Sequence, residues 1–345
     1  MEDQRRDLQA LPKAHVHLHF TGSLDVDTLQ NLAAHHGIPL PPELTDREGL
    51  KVPDSRRGWF KFQRHYDLAR RAVKGEHSLR TVVRSAAERE ARQAVRRLEL
   101  QLDPTSYAPS VGGLHRVLDV VCDEARVASA ATGVDIGIIV ASSRLRHPLD
   151  ARTLARLAAQ YAGDGAGEVV AFGLNNDEEV GDTAAWEGAF RIARAAGLKS
   201  VPHGGELRGP EHVRDVVDYL QPDRIGHGVR TVESPELLQD LVAKGIAFEV
   251  CPASNVSLGI YDHPAAVPLR QLLDAGAHVA LGADDPLLFL SDLTDQYRIA
   301  RDDHGLTDAE LARLAQSSID ASFATPDKKS RWAQEINDWL ATEAS

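Results

Sequence analysis

Residues 183–206 read TAAWEGAFRIARAAGLKSVPHGGE, and the order of residue types in that stretch decides the fold. Residues 183–196 carry helical periodicity, Gly197 supplies a helix stop, and 199–206 form a short β-like run. Glycines end helical stretches before strands again at Ala243-Lys244-Gly245 and Asp274-Ala275-Gly276. Outward from this unit, further β-like runs fall at 14–20, 95–103, 135–142, 169–175, 224–228, 246–252 and 278–285. Helix-like segments at 79–94, 114–132, 150–162, 210–219, 233–244 and 267–275 lie between them. Strands that alternate with helices imply βα units and parallel pairing. Eight such units in 345 residues predict a single α/β domain, a (β/α)8 TIM-type barrel spanning 1–345. A doubly wound dinucleotide-binding sheet would open its first turn with G-x-G-x-x-G, and nothing like it follows Phe20.

The stretch 21–94 is too long for one crossover helix, which predicts extra helices covering the barrel mouth. The tail 306–345 reads as helical and is expected to pack outside the barrel. With 39 basic and 51 acidic residues the formal net charge is −12, which argues against nucleic acid or an anionic membrane as the main partner. Cys122 and Cys251 form no metal-spaced or redox motif, so a reducing compartment fits best. The N-terminal MEDQRRDLQALPK lacks the apolar core of a signal peptide, and no apolar run is long enough to span a bilayer. The expectation is a soluble, cytoplasmic protein.

Active-site groups of such barrels come from the C-terminal ends of strands. Here those ends carry His17 and His19, then His203 with Glu206, His227, and Asp284-Asp285. In A-H-V-H-L-H-F, residues two apart share a strand face, so His15, His17 and His19 are all expected to point inward. A buried imidazole row is costly unless something compensates it, and a divalent metal does. His17 and His19 lie nearer the mouth and are assigned to the metal with His203 and Asp284, leaving His15 in the layer beneath. Three imidazoles and one carboxylate suit one zinc ion per chain, with a position open for water. Glu206 and His227 remain for proton transfer, each beside glycines that let a ligand approach the backbone. Glu99, Gln101 and Arg146-His147-Pro148 are read as structural or supporting residues. Other histidines, among them His36, His65 and His212, are read as surface or core filler. Trp59, Phe60 and Phe62 fit either a pocket lid or a helix burying its aromatics.

These motifs resemble the adenosine deaminases among the metal-dependent amidohydrolase barrels. P-K-A-H-V-H-L-H-F-T-G-S, H-G-G-E, R-I-G-H-G, C-P-A-S-N and A-D-D-P occur in the family's order over about residues 11–290. The resemblance implies zinc on His17, His19, His203 and Asp284, and catalysis by Glu206, His227 and Asp284. Glu206 would protonate purine N1 while a metal-activated water attacks C6, and His227 would orient that water or take its proton. His19, Thr21, Asn176 and Asp285 would meet substrate, with Asp285 receiving a hydrogen bond from the N7 side. The backbone of Gly173–Glu178 would meet N3. The implied reaction is hydrolytic deamination of a small-molecule 6-aminopurine nucleoside with release of ammonia.

Some positions depart from the family. Thr21 stands where an acidic residue contacts the ribose 5′-hydroxyl, Asn176 where Gly is usual, Gln101 where Arg is, and His15 where Glu is common. The H-x-H-F-T-G-S and G-L-N-N-D-E patterns are similar to actinobacterial members that deaminate 6-aminodeoxyfutalosine. Those members carry an Arg near the position of Asp25, and Arg56, Arg57 or Arg64 could replace it. A 5′-modified adenosine is therefore the expected substrate. The alternatives are an amidohydrolase of a non-purine cyclic amide and a catalytically silent ligand-binding relative.

Overall fold

Val, Ile and Leu runs such as 136–141 are buried on both faces, as parallel strands covered by helices require. A computed structural model describes residues 5–45 and 48–342, so the first four residues of the N-terminal stretch and the last three of the tail lie outside the described residues. Among the described residues, eight strands pair in chain order: β1 Lys13–His19, β2 Val95–Leu102, β3 Asp135–Ser143, β4 Val169–Asn175, β5 Lys199–Gly204, β6 Arg224–His227, β7 Ala247–Val250 and β8 Val279–Leu281. Every pair is parallel. The expected (β/α)8 barrel is the observed fold.

Closure between β8 and β1 occurs at the mouth and uses a candidate site residue. Asp284 bridges to Leu18, accepting from the His19 amide at 3.0 Å and donating its own amide to the His17 carbonyl at 3.2 Å. The expected runs through 206, 228, 252 and 285 overshoot, because the ladder stops at Gly204, His227, Val250 and Leu281. His227 (φ 62°) and Asp284 (φ 61°) adopt left-handed backbone that no strand can continue.

The reading of His15 is corrected. His15 pairs with Leu98 but Leu18 pairs with Leu100, so β1 holds one residue more than β2 between those points. That bulge reverses the alternation. The His15 ring turns away from the other two and meets Glu90 of the first crossover helix, Nδ1 to Oε2 at 2.9 Å. Its Nε2 accepts from the Ala283 amide at 3.0 Å, so Nδ1 carries the proton donated to Glu90.

The long stretch after β1 does supply extra helices: α1 Val26–His35, α2 Arg56–Arg70 and α3 Gly75–Arg92. Asp25 caps α1 by accepting from the Thr28 amide at 2.6 Å. α2 lies over the mouth, and Trp59, Phe62, Gln63, Tyr66, Asp67 and Arg70 line the cavity beneath it. Phe60 stays 56% exposed, so of the three aromatics in that segment it alone faces solvent. The tail forms helices Asp308–Ala321 and Pro326–Ala341, and the short link between them reaches the barrel floor, where the Phe323 amide donates to Glu99 at 2.6 Å. No helix of the described residues is long and apolar enough to cross a membrane.

Candidate active site

β1 delivers His17 and His19 to the mouth, β5 delivers His203, and β6 ends on His227. Register sets their spacing: His203 pairs with Gly226 and Gly204 with His227. A Cβ on Gly226 would lie 2.7 Å from His203 Cδ2 and 3.1 Å from His17 Cε1, so this glycine in R-I-G-H-G is what lets the imidazoles converge. Gly22 serves Asp285 in the same way, since a Cβ there would fall 1.7 Å from Asp285 Oδ1.

Two trios, His17–His19–Asp284 and His17–His203–His227, each keep their ligand-capable atoms within 4.8 Å of one another. They share His17 and together contain the four expected metal ligands. His17 and His19 Nε2 stand 3.4 and 3.1 Å from Asp284 Oδ1. Glu206, His227 and Asp284 form a third such trio. The geometry therefore brings His227 as close to His17 as His203, with ring centroids 4.8 Å apart in both cases.

The donor set fits a metal ion. His17 Nδ1 is bonded to Glu249 Oε2 at 2.7 Å, which aims its Nε2 lone pair at the cluster centre. Nε2 of His17 and of His203 are buried with no hydrogen-bond partner among the described residues. Burial opposes charge on His17, yet the Asp284 and Glu249 carboxylates beside it outweigh burial and raise it to about 10, so positive charge at Nε2, from a proton or from a metal ion in its place, is favoured. Its surroundings are thus built for positive charge. Burial pushes His203 well below the usual imidazole range and His227 down to about 4, so both rings present lone pairs.

The acids divide in the opposite sense. Burial, reinforced by Asp284 and Glu178, pushes the Glu206 carboxyl well above its ordinary value. That keeps it protonated and able to donate, with Oε2 3.6 Å from His227 Nε2. Asp284 is held well below the carboxylate range, because bonds from His17 and His19 overcome its burial. Burial and the Asp284 charge raise Asp285 well above that range, and its Oδ1 has no partner among the described residues. An Asp285 that keeps its proton is able to donate a hydrogen bond into the cavity.

The side-chain roles of three supporting residues are not legible in the sequence, although Glu178 and Ser254 lie in the stretches G-L-N-N-D-E and C-P-A-S-N singled out there. Glu178 accepts from the amides of Glu206, Leu207 and Arg208 at 2.9–3.2 Å and so fixes the loop that carries Glu206. Ser254 of C-P-A-S-N donates to Asp284 Oδ2 at 2.6 Å. Glu249 orients His17. A lone acid inside the apolar run A-F-E-V was the available signal for Glu249.

The cavity above these groups has a volume of about 330 Å³. His19, His203, Glu206, His227, Asp284, Asp285 and Asn176 all line it. Asn176 has φ 76° and donates its Nδ2 to Gln63 at 3.2 Å. Thr21 is not among the lining residues: it is fully buried, and its hydroxyl shares a 2.7 Å bond with that of Tyr107, which does line the wall. The expected cations are also elsewhere. Arg56 donates to Asp177 and Glu179, both at 2.9 Å, and Arg64 lines a separate depression. Arg57 does not line the cavity either. The arginines that do are Arg70 and Arg146.

A sequence profile described as adenosine deaminase matches residues 12–339. A Streptomyces coelicolor protein, provisionally named an adenosine/adenine deaminase, is 51% identical over 97% of this chain and 98% of its own. An adenine deaminase of Agrobacterium fabrum is 32% identical, over 95% of this chain and 98% of its own. The crystal structure of adenine deaminase from Arthrobacter aurescens superposes with a TM-score of 0.88 at 28% identity, covering 96% of this chain and all of that one.

Proposed function

The chain belongs to the adenosine deaminase family, and from that premise we propose that it is a zinc-dependent hydrolase that deaminates a 6-aminopurine nucleoside, preferring one modified at the 5′ position. The carrying observation is the convergence of His17, His19, His203 and His227 with two buried acids, Glu206 and Asp284, at one cavity end. Burial shifts Glu206 toward its protonated form, whereas His17 and His19 shift Asp284 toward its ionised form despite its burial. Zinc on His17, His19, His203 and Asp284 would supply a nucleophilic hydroxide at neutral pH. Glu206 gives its proton to N1 as C6 becomes tetrahedral. His227 takes a proton from the attacking water and passes it to the amine, the C6–N bond breaks, and ammonia leaves. The proton left on the C6 oxygen restores Glu206. Asp285 donates to N7 and holds the ring in register.

Barrel order supports the nucleoside reading. With Glu206 after β5 at N1 and Asp285 after β8 at N7, N3 faces β4 and N9 faces the ends of β2 and β3. The cavity continues in that direction, past Gln101 and Ser143 to Asp103, Ser106, Arg146, Arg70 and Asp67. Asp103 is occupied by the Thr105 amide and hydroxyl at 2.9 and 2.5 Å, and Asp67 pairs with Arg70. Arg146 Nε lies 3.7 Å from Asp103 Oδ2, and the guanidinium N–H groups that these two acids do not engage would meet a polar or anionic 5′ substituent. This basis replaces Thr21, which sits behind Tyr107.

A second reading, the free base, is favoured by the relatives named adenine deaminases. A deamination panel separates the two, with adenosine, 2′-deoxyadenosine, adenine, AMP, methylthioadenosine and 6-aminodeoxyfutalosine as substrates. The proposal expects a 5′-modified nucleoside to exceed adenosine by at least about tenfold in kcat/KM, about 1.4 kcal/mol. Adenine in first place would establish the free-base reading, and turnover of none would remove the purine assignment.

A further inference from the structure

The floor of the barrel holds a buried row of charges that the reaction itself does not use. Arg97, Glu99, Arg224 and Glu249 are each at most 1% exposed, although charged side chains are rarely buried without partners. The row is continuous. From the link between the two tail helices, the Phe323 amide donates to Glu99 Oε1 at 2.6 Å. Glu99 Oε2 accepts from Arg224 Nη2 at 2.6 Å, and Arg224 Nε donates to Glu249 Oε1 at 2.5 Å. Glu249 Oε2 meets His17 Nδ1 at 2.7 Å. Arg224 is fixed twice more by the link region, through Nη1 to the Ala321 carbonyl at 2.8 Å and over the Phe323 ring at 3.9 Å. A side branch leads away from the site: Arg97 bonds Glu99 at 3.1 Å and Asp135 at 2.8 Å, and Asp135 accepts from Lys328 at 2.7 Å.

We infer that Phe323, Glu99, Arg224 and Glu249 form a positioning relay by which the tail link sets the orientation and tautomer of His17, so that metal affinity depends on contacts at the opposite end of the barrel. It rests on the reading of His17 as a metal ligand. An ionised Glu249 only accepts hydrogen bonds, so its contact requires the proton on His17 Nδ1 and leaves Nε2 free. Arg224 holds Glu249 in that place from behind. Without it, a carboxylate in a low-dielectric interior would have to turn, take up a proton or draw in water. Each response would alter the hydrogen bond that aims His17. Arg224 and Glu99 are thus positioning residues that act on the metal through Glu249.

The side branch provides an internal control of similar burial and charge. The test measures the zinc dissociation constant by chelator competition, and the thermal midpoint of the metal-free chain, for Arg224→Met, Glu99→Gln, Asp135→Asn and His17→Ala. Arg224→Met is expected to weaken zinc about tenfold to a hundredfold, the range for partners that orient a ligand. Glu99→Gln should weaken zinc less, and Asp135→Asn should lower the thermal midpoint while leaving zinc affinity unchanged. Should Arg224→Met fail to fold, Glu99→Gln against Asp135→Asn still decides. Unchanged zinc binding in Glu99→Gln, or equal losses in Glu99→Gln and Asp135→Asn, would make the row a structural ion network and overturn the relay. Full zinc binding in His17→Ala would instead overturn the ligand reading on which the relay depends.

Discussion

The two ends of the cavity are built on different principles. At the inner end His17, His203, Glu206, His227 and Asp284 are buried, and most are held by a second buried group: Glu249 behind His17, Ser254 behind Asp284, and Glu178 behind the Glu206 loop. At the outer end, Arg70 and Arg146 keep 31% and 40% side-chain exposure and pair with acids that are themselves partly in solvent. Charges buried in low dielectric interact strongly and lose much when displaced, whereas half-exposed pairs are screened and contribute little. The inner end should therefore fail for every substrate when disturbed. The outer end should only re-rank substrates.

The largest effect is expected from the metal. Chelation should abolish activity on every substrate and added zinc should restore it, as metal analysis alongside an ammonia assay would check. Full activity in metal-free protein would break the account at the inner end. Gly22→Ala comes next, because its Cβ would fall 1.7 Å from Asp285 Oδ1 and 2.9 Å from its Cα. A displacement of that kind should cost about a hundredfold in kcat/KM whatever the substrate. Equal activity in this variant would show that Asp285 is free to move.

Arg146→Ala sharpens the contrast from the other side. We expect about a tenfold loss of kcat/KM for a nucleoside with an anionic 5′ group, with adenosine little changed. A uniform loss across the panel would mean that Arg146 supports the fold of the wall and not selection.

The effect that leaves activity at neutral pH untouched lies in stability. Burial alone would raise Glu178, but His212 and the amides of the Glu206 loop outweigh it and lower this acid from 4.5 to about 2. A carboxyl lowered in the folded state stabilises fully above its unfolded value and loses that contribution as pH falls through the folded one. Stability from Glu178 should be complete above pH 4.5 and fade towards pH 2, by a few kcal/mol at most. Glu178→Gln should flatten the pH dependence of the denaturant midpoint across that window. An unchanged slope would show that the loop carries no such linkage.

What the sequence revealed follows the same division. Strand and helix periodicity, with glycines at the junctions, made the barrel legible, and polar residues at strand ends marked the inner site. Bond-level detail was not legible. The β1 bulge that turns His15 towards Glu90 leaves no mark in A-H-V-H-L-H-F, where strict alternation is the default. The sequence reading carries β5 and β8 too far because no polar turn signal separates Gly204-Gly205 from Glu206 or the apolar run 279–283 from Asp284, and left-handed backbone at Gly205 and Asp284 is what ends the extended conformation. The outer wall was read least well. Whether Thr21, Arg56, Arg70 or Arg146 reaches the cavity depends on how α2 and the loops after β2 and β3 pack, and residue spacing does not encode that.

The most direct measurement is turnover of Glu206→Gln at full metal occupancy, on the best substrate of the panel. This change keeps the size of the side chain and removes the proton that the buried carboxyl holds for N1. The account predicts a folded, metal-replete protein whose kcat has fallen at least about a hundredfold, with KM little changed. Near-normal kcat in that variant would mean that another group protonates the purine, and would contradict the assignment of the inner end.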